Sequence, residues 1–182
     1  MRLDELMRFV GTFFKEEGID YFVYGAAAMN FWIPPRNTVD LDVVVSSKKR
    51  QAVLAIQKLR RRQIPVAKHL AQKFLEGRLV KVPLGDTELD LKLSRSEHEQ
   101  EALRRAKTFK AEDFELRIAA PEDLILFKLQ YWRKQDQADI ENMIQRRKDL
   151  DVKYVEARLR GVEIETGHPV QERWREVQTW RR

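Results

Sequence analysis

Val39-Asp40-Leu41-Asp42-Val43-Val44-Val45, entered through Arg36 and Thr38, decides the reading of this chain. Side chains of a strand alternate, so a period of two puts Asp40 and Asp42 on one face and Leu41, Val43 and Val45 on the other. Two rises along a strand separate the carboxylates by roughly 6.6 Å. Charges carried by so apolar a strand are costly unless a cation or hydrogen bonds compensate them. Paired carboxylates that hold divalent ions are a recurring way to manage the phosphates of a nucleotide.

Working outward, Thr87-Glu-Leu-Asp-Leu-Lys-Leu93 repeats the alternation, with leucines 89, 91 and 93 on one face and Glu88, Asp90 and Lys92 on the other. Alone it reads as an ordinary half-exposed antiparallel strand. Laid beside 39–45, it lets Asp90 join Asp40 and Asp42. Three carboxylates would hold two Mg²⁺ (or Mn²⁺) ions and leave an oxygen to orient or deprotonate a hydroxyl. Glu88 and Asp86 are neighbouring acids that compete for the same reading. Arg78 to Val82 pairs with 87–93 around a Pro83-Leu-Gly-Asp86 turn.

Helical spacing from Leu3 to Phe14 predicts a helix over 3–17, stopped by Gly18. Tyr21–Tyr24 reads as a strand ending at Gly25, and Ala26–Trp32 as a short helix halted by Pro34-Pro35. Ser46 or Ser47 is expected to cap a helix running to about Arg61, and Ser94 or Ser96 another. Residues 67–76 read as a short helix, with short strands at Phe109 and 114–118. From Ala120 onward the pattern is helical, near 121–133, 137–148, 152–160 and 169–180. The expected class is α+β (α/β): a small mixed sheet flanked by helices. It forms a single domain over 1–182, with an α/β core to about 118 and a helical part from about 119. In the tail, Val170, Trp174, Val177 and Trp180 or Arg181 follow the spacing of a docking helix.

At 182 residues the chain can bury a substantial core. It has no cysteine and three scattered histidines, which excludes disulfides, thiolate chemistry and a zinc–thiolate site. No apolar run reaches the ~20 residues of a membrane span. The start lacks a signal-peptide pattern, so the expected location is cytoplasmic, with no membrane partner. The net charge of +6 suits an anionic partner, although a generally charged surface gives the same balance.

As a set, Gly25-Ala26, Arg36-x-Thr38-x-Asp40-x-Asp42 and the later Asp90 resemble the polymerase β-type nucleotidyltransferase fold, and within it the AbiEii/minimal-nucleotidyltransferase branch that includes toxin–antitoxin components. Pro121-Glu-Asp-Leu-Ile-Leu-Phe-Lys128, with Arg133 and Asp136-Gln-Ala-Asp139-Ile140, resembles that branch's downstream segment, so the likeness spans roughly 20–140. It implies that Asp40, Asp42 and Asp90 bind the metals, that Gly25 and Ala26 open a helix under the nucleotide phosphates, and that Asp136 and Asp139 support the site. The turn usually holds Gly-Gly or Gly-Ser; here Ala26 lacks both a second glycine's freedom and a phosphate-binding hydroxyl.

Lys128 is the sole charge in Leu124–Trp132 and must either reach water or meet an anion. The resemblance makes that anion the NTP triphosphate. Arg36 and Thr38 touch phosphate or shape the loop. Asp136 and Asp139 also have the spacing of a helix cap and its partner. The implied activity is metal-dependent transfer of an NMP from an NTP to a hydroxyl of RNA (a tRNA 3′ end) or of a protein. An aminoglycoside-type acceptor is a weaker option. The alternatives are a catalytically weak module that binds a cognate toxin or antitoxin protein in a two-gene system, and a basic RNA-binding domain.

Overall fold

The structure, a computed structural model, describes residues 1–180. Arg181 therefore lies outside the described residues. A mixed six-stranded sheet is flanked by helices. In chain order the elements are α1 (Leu3–Glu16), β1 (Tyr21–Tyr24), α2 (Gly25–Met29), β2 (Asp40–Val45), α3 (Lys49–Arg61), α4 (Lys68–Leu75), β3 (Val80–Leu84), β4 (Thr87–Leu93), α5 (Glu97–Arg105), β5 (Lys107–Lys110) and β6 (Glu115–Ile118), then α6 (Pro121–Tyr131), α7 (Lys134–Arg146), α8 (Val152–Thr166) and α9 (Val170–Thr179). The strand order is β3-β4-β2-β1-β6-β5. Central β2 runs antiparallel to β1 and parallel to β4.

The alternation read from the sequence sorts the two faces. Odd-numbered residues of β1, β2 and β4 line one face, which α1 covers: Phe14 stacks on Tyr21 with centroids 4.5 Å apart. Even-numbered residues line the other, under α6, where Phe127 packs on Phe22 and Tyr24 at 6.1 and 5.3 Å. Both faces of β2 are thus covered over Val43–Val45, which explains its unbroken apolar end. The even face turns acidic at its other end, at Asp42, Asp90 and then Asp40, beyond the reach of Phe127.

Local details differ from the sequence reading in instructive ways. Strand β3 runs through Pro83 and Leu84, so the connection is the two residues Gly85-Asp86, with Leu84 opposite Thr87. Helix α3 starts from Lys48 without a side-chain cap; Ser46 instead accepts the Lys48 N–H at 3.4 Å, two residues too early to cap. Ser96, of the two serines considered, caps α5 and forms a capping box with Glu99. In α9, Val170, Trp174 and Val177 are buried, and Trp180 stacks on Trp132 at 5.8 Å.

Candidate active site

The register of three strands builds the site. Asp42 faces Tyr24 across β1 and Asp90 across β4, and Asp40 faces Glu88. Neighbouring strands lie about 4.8 Å apart, so the Asp42 and Asp90 side chains leave the same face side by side. Strand β4 lies beside β2, in parallel, which is the placement on which Asp90's joining Asp40 and Asp42 depended. The surrounding cleft, about 480 Å³, is lined by Asp40, Asp42, Asp90, Gly25, Ala26, Arg36, Thr38, Lys128 and Asp136 from the sequence reading. It is also lined by Arg133, from the segment that carried the resemblance, and by Tyr24, Leu79, Lys81, Tyr131 and Gln135, which that reading did not single out. Asp139 stands behind Arg36 and Lys128, and Asp86 is exposed at the hairpin turn.

Like charge and burial set the electrostatics. Burial first, then the Asp90 and Asp40 carboxylates, push Asp42 up to about 6, while Lys81 and Lys92 pull it back. Burial also raises Asp90, against the opposing pull of Lys81. Asp90 is 4 % exposed. Its Oδ2 meets the Lys81 ammonium at 3.0 Å, and its Oδ1 is buried with no partner. Among the described residues, Asp40 and Asp42 have no cation within 4.0 Å.

Gly25 follows the β1 residue paired with Asp42 and has φ +70°, where a side chain is strained. A Cβ there would stand 2.0 Å from Asp42 Oδ2. Gly25→Ala is therefore expected to displace that carboxylate and to lower stability by roughly 1–2 kcal/mol from the backbone alone. Urea denaturation checks this, and an unchanged midpoint would sink it.

The basic side of the cleft is already paired. Lys128, 5 % exposed, meets Asp136 at 3.0 Å and Asp139 at 2.6 Å. An anion for this apolar helix is thus supplied by α7, while Lys128 still lines the cleft where the resemblance expects the triphosphate. Arg36 grips Asp139 through Nε at 3.1 Å and its terminal nitrogen at 3.0 Å. Asp136 is not an N-cap: Arg133 holds that position, and Asp136, at N3, accepts its N–H at 3.1 Å and its Nε at 2.9 Å. Burial works against both aspartates, but the cations around them hold both below the ordinary carboxylate range. Asp136 and Asp139 therefore tie α6, α7 and the Arg36 loop together behind the cleft.

Among the described residues no three His, Cys, Asp or Glu side chains are gathered at ion-binding spacing. Lys81 occupies one oxygen of Asp90. What remains still fits Mg²⁺ or Mn²⁺: hard oxygen donors only, an unpartnered buried oxygen, a surplus of negative charge, and a glycine that leaves the Asp42 carboxylate its room. Mg²⁺ characteristically takes one or two carboxylates and completes its shell with water and substrate phosphates.

No protein-family model and no curated protein sequence matches the chain. Solved structures do. The crystal structure of an antigenic nucleotidyltransferase-like protein from Paracoccidioides brasiliensis is 18% identical over 87% of each chain, with a TM-score of 0.55. The crystal structure of ANT(2″)-Ia in complex with adenylyl-2″-tobramycin is 14% identical, covering 94% of this chain and 97% of that one, with a TM-score of 0.51. The fold is thus that of nucleotidyltransferase-like proteins.

Proposed function

We propose that the chain is a nucleotidyltransferase that moves an NMP from an NTP to a hydroxyl group. The observation that carries this reading is the Asp42–Asp90 register pair: two like charges, one half-buried and one buried, set side by side in an open cleft, with Asp40 next on the same face. A structural role does not call for that arrangement, whereas a site for cations and polyphosphate does. Asp40, Asp42 and Asp90 would hold Mg²⁺ or Mn²⁺, which when bound neutralises charge on the triphosphate and the attacked phosphorus. Asp90, through its unpartnered oxygen, accepts the proton of the acceptor hydroxyl. The acceptor oxygen forms its bond to the α-phosphorus as the bond to the bridging oxygen breaks, and pyrophosphate leaves.

Gly25 and Ala26 let the backbone approach the phosphates, and Thr38 and Arg36 border them. Lys128, Asp136 and Asp139 act through one another, fixing the cleft wall rather than touching substrate. The acceptor is a hydroxyl of RNA, as at a tRNA 3′ end, or of a protein; the chain's positive balance favours RNA. A small aminoglycoside-type acceptor is a third class. The second reading, a weakly catalytic partner in a toxin–antitoxin pair, rests on Ala26 in the turn.

The test incubates the chain with labelled ATP, CTP, GTP and UTP, Mg²⁺ and total tRNA or lysate. Label transfer is expected, with a loss of about a hundred- to a thousandfold in Asp40→Ala. Partner binding without any transfer would replace the enzyme reading by the second one. Mg²⁺-independent RNA binding that fades steeply with salt would replace it by an RNA-binding domain.

A further inference from the structure

Lys81 projects from the β3 side of the hairpin directly opposite Asp90. Its ammonium lies 3.0 Å from Asp90 Oδ2 and 2.5 Å from Glu88 Oε1, and it lines the cleft. Three features distinguish it from an ordinary surface pair. First, its carboxylate partner is one of the three acids of the site, and the other oxygen of that partner is buried and unpartnered. Second, the Lys81 side chain is 55% exposed while that of Asp90 is 6% exposed, so the cation is free to leave and the anion is not. Third, Glu88 lies two residues earlier on β4, roughly 6.6 Å along the strand, and already shares the ammonium. A lysine is a compact point charge on a flexible stem, without the locking fork of arginine.

We propose, on the metal-binding reading of the cleft, that Lys81 is a tethered counter-cation. It occupies the cation seat on Asp90 when no divalent ion is bound and withdraws to Glu88 when one enters. The pairing offsets the repulsion that Asp90 would otherwise feel from Asp42 in register. It also makes Lys81 a direct competitor of the metal, so the resting site does not close on an ion before substrate phosphates help to draw it in. No bond is made or broken; one cation exchanges for another.

Mn²⁺ titration of the nucleotide-free, full-length chain, followed by the electron paramagnetic resonance signal of the free ion, tests this without any turnover. Lys81→Gln is expected to bind Mn²⁺ about three- to tenfold more tightly than the wild type. Lys81→Arg, which keeps a competing cation, stays within about twofold of wild type. In an Asp90→Asn background the Lys81→Gln change has no effect, because the contested seat is gone. Arg133→Gln removes an equal charge from the cleft wall and is also expected to change affinity less than about twofold. Unchanged or weaker binding by Lys81→Gln overturns the proposal. So does a gain that survives in Asp90→Asn or is matched by Arg133→Gln. If wild-type binding is saturable and lost in Asp42→Asn while Lys81→Gln equals wild type, only the counter-cation role falls. If the wild type binds no Mn²⁺, the metal reading falls with it.

Discussion

Replacing Asp42 with asparagine is expected to abolish nucleotidyl transfer and to stabilise the metal-free protein. Both effects have one cause. Burial, with the Asp90 and Asp40 charges beside it, lifts the Asp42 carboxyl to about 6, whereas an unfolded aspartate titrates near about 3.9. The folded chain holds this proton more tightly, so stability falls as pH rises between those two values. Above about 6 both states are ionised, and the native state carries the full penalty, on the order of 3 kcal/mol. Asparagine is uncharged and escapes it. The gain of Asp42→Asn is therefore largest above pH 6 and disappears below about pH 4, where the aspartate is neutral in both states. Transfer drops by about a hundred- to a thousandfold, because an amide cannot replace the carboxylate's charge. Denaturant midpoints at pH 4 and pH 8, with labelled-NTP transfer at pH 8, check the pair of effects. A variant less stable than wild type at pH 8, or one whose transfer falls less than about tenfold, would overturn this account of the site.

Lys128→Met is expected to cost about 3 kcal/mol of stability, a large effect for one residue. Methionine fits the apolar helix around it, so packing changes little. The cost comes from Asp136 and Asp139, whose side chains are 4% and 2% exposed and lose the cation between them. Arg133 and Arg36 remain in place, which keeps the loss at the lower end for a broken buried pair. Both aspartates titrate below their ordinary range in the native protein. Their contribution is present above an unfolded pKa near about 3.9 and fades as pH falls through the lower folded values. The Lys128→Met deficit should accordingly be greatest at neutral pH and shrink in acid, where protonated carboxyls no longer need the ammonium. Urea titrations at pH 7 and near pH 2.5 measure it; a deficit that does not depend on pH would point to packing instead.

The site's acids were legible because a strand's period is two and the chain writes it twice, at 39–45 and 87–93. Lys81 was legible in principle. Once the hairpin turn is the two residues Gly85-Asp86, Leu84 pairs with Thr87, and counting outward sets Lys81 against Asp90. Reading the turn as four residues, from Pro83 to Asp86, concealed that register, because a proline suggests the end of a strand. The Arg36–Asp139 pairing was out of reach, since it joins residues 103 apart in sequence through the packing of α6 and α7. The Lys128 segment stated its need for an anion but not its source. Local pattern fixes what a side chain requires, and tertiary packing decides which of several candidates supplies it.

The outer strands limit how an extended polypeptide can engage this protein. At one border, β3 carries Lys81 and Pro83, and the proline offers no N–H; at the other, β5 begins and ends on a lysine. Such borders discourage a foreign extended segment from hydrogen-bonding alongside. On the proposed function, a polypeptide acceptor is therefore expected to project a single residue into the hollow instead of lying down as a seventh strand.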